Sequence, residues 1–241
     1  MCVVVYLDDI TIYSDNPEHL GHVREVLRRL RANHLYAKVE ECAFSVDTTD
    51  FLGSFFGPDG LQMDTSKIQV IRDWSTPRNA KDVQSFLGFT TFHRQFIASY
   101  PGLTVPPTRL TRKDAPWVWS LQCEDAFQLL KTAFTSAPIL HHFDPSLPPV
   151  VETDASDYAI AGILSVRAED SQIPPIAFFS RTISGAELNY DTHDKELLAI
   201  FGTFKTWRHS LVTSHTSDVI TNHKNLEYFS STKMPTRRQA R

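Results

Sequence analysis

The feature that most constrains this chain is a pair of acids set between two β-rich runs. Cys2-Val3-Val4-Val5-Tyr6 and Ile10-Thr11-Ile12-Tyr13 flank Leu7-Asp8-Asp9, which predicts a tight hairpin with acidic residues at its tip. Adjacent carboxylates repel each other, and a bound divalent cation would remove that cost, although an Asp pair in a turn is also ordinary turn chemistry. The first run has no polar alternation and reads as a buried central strand. A domain seldom opens on such a strand, so further sequence is expected upstream.

Asn16-Pro17 signals a helix start, and Leu20, Val23, Leu27 and Leu30 continue it at helical spacing to about Asn33. Phe51 to Phe56, the turn Gly57-Pro58-Asp59-Gly60, and Leu61 to Met63 read as a second hairpin. From Asp64 the pattern becomes helical, punctuated by Pro77, Pro101, Pro106, Pro107 and Pro116. One helix, capped by Asn79, presents Val83, Phe86, Leu87, Phe92 and Phe96; another, from about Leu121, carries Ala126, Phe127, Leu130 and Phe134 on one face. After a linker at Asp144 to Pro149, three strand candidates follow: Val150 to Thr153, Tyr158 to Val166 and Ile176 to Ser180. A long helix from about Glu187 to His209, a strand Asp218 to Thr221 and a helical stretch from His223 to Phe229 complete the order. The reading gives three parts, residues 1–63, 64–147 and 148–241.

Charge does little to point to a partner. The chain carries a formal charge of −4 with a pI near 6.2, and no basic footprint marks it as a dedicated nucleic-acid-binding domain. Residues 64–147 form the one net-positive part, with nine Lys/Arg against seven Asp/Glu. Cys2, Cys42 and Cys123 are too far apart for ligand spacing and read as free thiols in a reducing, intracellular setting. No membrane span or signal core can be drawn at the start of the chain. His19 and His22, three apart on a helix, read as a solvated face rather than a metal site, and His141-His142 as loop.

Tyr6-Leu7-Asp8-Asp9-Ile10 between apolar strands resembles the YxDD hairpin of reverse transcriptases. Ile12-Tyr13-Ser14, Glu18-His19-Leu20, Phe51-Leu52-Gly53 to Gly60-Leu61, Phe86-Leu87-Gly88, Arg94-Gln95-Phe96-Ile97 and Trp117-Val118-Trp119 to Ala126-Phe127 follow in the order of gypsy-type LTR retrotransposon polymerases. Asp154-Ala155-Ser156, Ala161-Gly162-Ile163-Leu164, Phe179-Ser180-Arg181, Glu187-Leu188-Asn189-Tyr190, Lys195 to Ile200, Trp207-Arg208 and His223-Lys224-Asn225-Leu226-Glu227 resemble the family's ribonuclease H domain. The resemblance covers essentially the whole chain. It implies an α+β and α/β architecture: the end of a polymerase palm with its primer grip (1–63), a helical thumb and connection (64–147), and a C-terminally truncated ribonuclease H-like domain (148–241).

The resemblance also implies two sites, each built for two Mg²⁺ ions. Asp8 and Asp9 match two of the three polymerase carboxylates, and the third, with the nucleotide-binding fingers, has no counterpart in the sequence. Of the four ribonuclease H acids, Asp154 matches the one on the first strand and Glu196 the one on the long helix. Asn222 stands where the family has Asp, keeping the shape and an acceptor oxygen but losing the charge that holds a hard cation. The fourth acid belongs to a helix beyond Arg241. Implied partners are primer-template or RNA/DNA hybrid and the rest of the Pol polyprotein. The basic stretch Lys233 to Arg241 could meet phosphates or be a solvated tail, and an unpaired edge at Asp218 to Thr221 predicts self-association. Three readings stay open: an enzyme-derived segment weak or inactive alone, a non-catalytic nucleic-acid or protein-binding module, and no function at all.

Overall fold

The computed structural model describes residues 2–14, 18–51, 53–168, 172–212 and 215–222. It divides into two compact units, residues 1–58 and 59–241. The Asn16-Pro17 start signal, the helix expected after His223 and the basic tail lie outside the described residues.

In the first unit β1 (Cys2–Tyr6) pairs antiparallel with β2 (Asp9–Tyr13), Tyr6 opposite Asp9, so Leu7 and Asp8 form a two-residue turn. Such turns favour positive φ, normally supplied by Gly or Asn; here Leu7 adopts φ 53°. Helix α1 (His19–Ala32) ends with Asn33 at its C-cap, as its spacing predicts. The expected strand Phe51 to Phe56 is instead two strands, β3 (Thr49–Phe51) and β4 (Ser54–Gly57), because Gly53 turns the chain at φ 72°. The expectation that β1 is a buried central strand fails: Val5 is 59% and Tyr6 55% exposed, and α1 has no buried residue. Among the described residues β1 pairs on one side only, so its apolar run lacks the two covering layers that make such a strand central.

The second unit begins with β5 (Gly60–Met63) and four helices, α2 (Thr65–Asp73), α3 (Ala80–Phe92), α4 (Tyr100–Arg109) and α5 (Leu121–Thr135). Side chains cap three of them: Asp64 accepts from the Ser66 amide at 2.7 Å, Asn79 from Asp82 at 3.0 Å and Ser120 from Cys123 at 3.4 Å. Ile71, Phe86, Phe96, Phe127, Leu130 and Phe134 are buried in one cluster, with the Phe86 and Phe127 rings 4.8 Å apart. Each such aromatic stabilises by roughly 2–3 kcal/mol through burial, before chain entropy is counted. Phe92 departs from expectation at 66% exposed: nine residues beyond Val83 at about 100° per residue is the opposite side of the helix. Pro77 and Pro116 lie between helices as expected, whereas the other three prolines do not act as stops. Pro101 lies in the first turn of α4, and Pro106 and Pro107 sit inside the helix, where they cannot donate to the carbonyls of Gly102 and Leu103.

A four-stranded sheet follows, in the order β8 (Pro175–Thr182), β7 (Ala159–Val166), β6 (Pro149–Ala155), β9 (Asp218–Thr221). The first three are antiparallel neighbours, and β9 runs parallel to β6. All four fall where the sequence places them. The long helix expected from Glu187 to His209 is interrupted twice. A 3₁₀ turn covers Gly185–Asn189, Tyr190 and Asp191 are extended, α6 spans Thr192–Thr206, and α7 covers Arg208–Leu211. The first break follows from Glu187, which closes a capping box with Ser184 while binding Arg181 of β8 through two 2.8 Å bonds. That ties the turn to the sheet rather than to the helix axis.

Candidate functional site

Helix α6 lies across β6 and β7 and turns Lys195, Glu196, Ala199, Gly202 and Thr203 inward, a stripe at helical spacing. Its approach is set by Gly162 of β7, where an added Cβ would fall 2.2 Å from the Thr203 Cγ2. Only a residue without a side chain lets the helix come that close. Glu196, in the second turn, is thereby held 4% exposed against the sheet.

Parallel pairing of β6 with β9 sets Thr153 beside Thr221, and the next residues along, Asp154 and Asn222, stand together at the strand ends. The Asn222 Nδ2 faces the Asp154 Oδ1 at 3.5 Å, the limit for a hydrogen bond. The neighbouring Thr221 hydroxyl donates to the Glu196 Oε2 at 3.3 Å. Asp154, Glu196 and Asn222 are thus tied to one corner of the sheet by two consecutive residues of β9 and its end. Ser156 shapes the turn after Asp154, accepting from the Ala159 amide at 3.0 Å.

Three contributors escaped sequence reasoning. Thr221 is one. The others are Lys195, buried at the start of α6, and exposed Asp157, whose Oδ1 accepts from the Lys195 Nζ at 3.0 Å. This pair straps the turn after Asp154 to the helix that carries Glu196. A Lys beside a helical Glu normally reads as solvated, and its partner lies 38 residues away, so no local signal marked it.

Asp8 and Asp9 lie in the other unit, at the turn and first residue of the β1–β2 hairpin, both exposed and with no ion pair among the described residues. No group of three or more His, Cys, Asp or Glu that could hold a metal occurs among the described residues. The corner at Asp154, Glu196 and Asn222 offers two carboxylates and a neutral amide. These are hard oxygen donors, but too few negative charges for a pair of divalent ions. Among the described residues, this corner does not supply the donor set of a two-ion centre.

The fold defines a class. Residues 119–218 match the RNase H-like domain found in reverse transcriptase, a span that takes in α5, β6 to β8, α6 and α7 and ends at the first residue of β9. The fold is similar to that of the foamy viral protease-reverse transcriptase dRH in complex with double-stranded DNA, with a TM-score of 0.76 at 22% identity over 97% of this chain and 41% of that one. The same enzyme in complex with RNA/DNA hybrid gives 0.73 at 21% identity, over 99% and 33%. More particularly, the Tf2-3 and Tf2-7 transposon polyproteins of Schizosaccharomyces pombe are each 36% identical over 226 residues, 93% of this chain and 17% of the polyprotein. The chain belongs to the retrotransposon polyproteins, in their reverse transcriptase and RNase H-like region, and spans about a sixth of the length of the relatives it matches.

Proposed function

We propose that this chain binds RNA/DNA hybrid and primer-template without cutting or extending them. In this reading residues 1–63 serve as the end of a palm with its primer grip, 64–147 as thumb and connection, and 148–241 as the ribonuclease H-like part. The observation that carries it is the amide of Asn222 directed at Asp154, where a third acid would have to help hold metal. Asp154 and Glu196 then retain at most one weakly bound Mg²⁺, and Asp8 with Asp9 no productive pair. When bound, such ions would activate a water or a primer hydroxyl and stabilise a leaving oxygen. The chain's own residues position the nucleic acid. Its affinity comes from phosphate contacts and therefore falls with salt.

No helix among the described residues is long and apolar enough to cross a membrane. The remainder of a Pol polyprotein is the natural protein partner, given that the relatives are polyproteins. A second copy is the other, since β9 pairs on one side only among the described residues.

The test is anisotropy with a fluorescent RNA/DNA hybrid, run beside cleavage and primer-extension assays in Mg²⁺ and Mn²⁺. Saturable, salt-sensitive binding with no cleavage and no incorporation is expected. Metal-dependent cutting that is lost in Asp154→Asn, incorporation lost in Asp8→Ala, or no binding of hybrid would each overturn the proposal.

A further inference from the structure

Between α4 and α5 the chain builds a surface that the corner at Asp154 does not use. Helix α4 runs out through successive turns: the Leu110 amide donates to Pro107, Thr111 to Thr108, Arg112 to Arg109 and Ala115 to Arg112. Arg109 and Arg112, three apart on this ramp, share a side, and Lys113 follows. All three cations are exposed, and none has an ion pair among the described residues. Asp114, at φ 62°, then reverses the chain toward Pro116.

The reversal delivers Trp117-Val118-Trp119. Trp119 is anchored: its indole meets the buried Phe127 edge-on at 6.1 Å, and its Nε1 donates to Glu124 at 2.7 Å. Glu124 also accepts from Gln128, and these two bonds hold its carboxyl below the usual range. Trp117 stacks on Trp119 with 5.8 Å between centroids and 24° between planes, and remains 39% exposed. An indole stacked on an anchored, half-buried one has already lost much of its rotamer freedom, so a further flat group can stack on it at little ordering cost.

We infer that Arg109, Arg112, Lys113 and Trp117 form a binding surface for single-stranded nucleic acid, with an unpaired base on Trp117 and phosphates along the cations. Exposed aromatics beside unpaired cations are what sequence-tolerant single-strand binding requires. A paired duplex offers its base faces only at an end, which selects the single strand. Asp114 and Glu124 are the acids on the connecting loop and the first turn of α5, set against three cations. The surface rests on the proposed nucleic-acid function and extends it to an unpaired stretch.

The experiment uses the full chain with a fluorescent single-stranded DNA of about 16 nucleotides, the upper end of common site sizes, and a blunt hybrid of equal length. Binding of the single strand should quench tryptophan fluorescence. Trp117→Ala should weaken it about tenfold, within the range of one base–aromatic stack, while Trp117→Phe restores most of the affinity without the quench. The exposed double variant Arg112→Glu/Lys113→Glu, which leaves the Phe127 core untouched, should weaken it similarly and lower the salt slope by roughly 0.7 per contact removed. Hybrid affinity should stay within about twofold in the two Trp117 variants. Unchanged single-strand affinity in both Trp117→Ala and the charge-reversal variant overturns the surface. Hybrid binding without single-strand binding overturns it too and leaves the proposed function standing, whereas binding of neither overturns both.

Discussion

Gly162→Ala tests the close approach on which the corner at Glu196 depends. The new Cβ would lie 2.2 Å from the Thr203 Cγ2 and 3.3 Å from the Glu152 carbonyl oxygen. Thr203 is fully buried, and its hydroxyl donates to the Ala199 and Ile200 carbonyls at 3.0 and 2.8 Å, so it cannot rotate away without losing both bonds. Overpacking of this kind costs about 1–3 kcal/mol. Thr203→Ser removes the clashing methyl and keeps the hydroxyl, at about 1 kcal/mol for the lost buried group. The double variant should then be more stable than the two single costs imply, by about 1–2 kcal/mol, because both changes act on one contact. Urea unfolding followed by fluorescence, with the Trp207 environment as reporter, measures all four corners of the cycle. Strict additivity, or a Gly162→Ala variant within about 0.5 kcal/mol of the parent, the range of an ordinary surface substitution, would refute the packing argument.

Three further outcomes are expected. His93 is 3% exposed with its Nδ1 unpartnered, and burial, then Lys67, lower its pKa from 6.5 against the opposing pull of Asp64. Since the unfolded state binds the proton more tightly, stability should fall as pH drops below about 6.5, and His93→Phe should flatten that decline in unfolding curves taken from pH 7 to 5; an unchanged slope rejects the burial argument. Asn222→Asp should destabilise the protein in chelator by about 1 kcal/mol, the water-limit repulsion of two charges near 4 Å, with millimolar Mg²⁺ recovering the loss; equal stability in chelator counts against the shared corner. The chain should self-associate through β9 in sedimentation runs and do so less in Val219→Lys; a strict monomer with exchange-protected amides at Val219 and Ile220 excludes that edge.

Sequence was most informative where one element is enough to determine an outcome. The α5 face of Ala126, Phe127, Leu130 and Phe134 is buried as its spacing requires, and the boundaries of β9 can be read from four residues. Asp154 and Glu196 were legible only through the family resemblance, because an acid at a strand end is ordinarily a cap and a glutamate on a helix is ordinarily solvated. The strap from Lys195 to Asp157 and the threonine under Glu196 were invisible, because each depends on a crossover that sets distant residues side by side. The break at Tyr190 and Asp191 was missed for a related reason: Glu187 suits a helix by propensity, and its partner Arg181 on β8 decides otherwise. Leu7 at positive φ is a third case, where a bulky residue occupies a turn position that sequence rules assign to Gly or Asn.

At the corner beside Asp154 both acids meet protein donors. A third carboxylate at position 222 would stand beside Asp154 as a like charge, and the apoprotein would depend on cations to offset the repulsion. Asn222 presents a donor to Asp154, and Thr221 presents one to Glu196, so position 222, where the resemblance implies an acid, contributes a hydrogen bond instead. In the proposed reading, folding of this domain is expected to be independent of metal, with the sheet and the α6 stripe shaping the surrounding surface. Hybrid affinity should accordingly be the same in chelator as in Mg²⁺ once ionic strength is matched, since what remains is recognition of phosphates and shape, for which no ion at this corner is required.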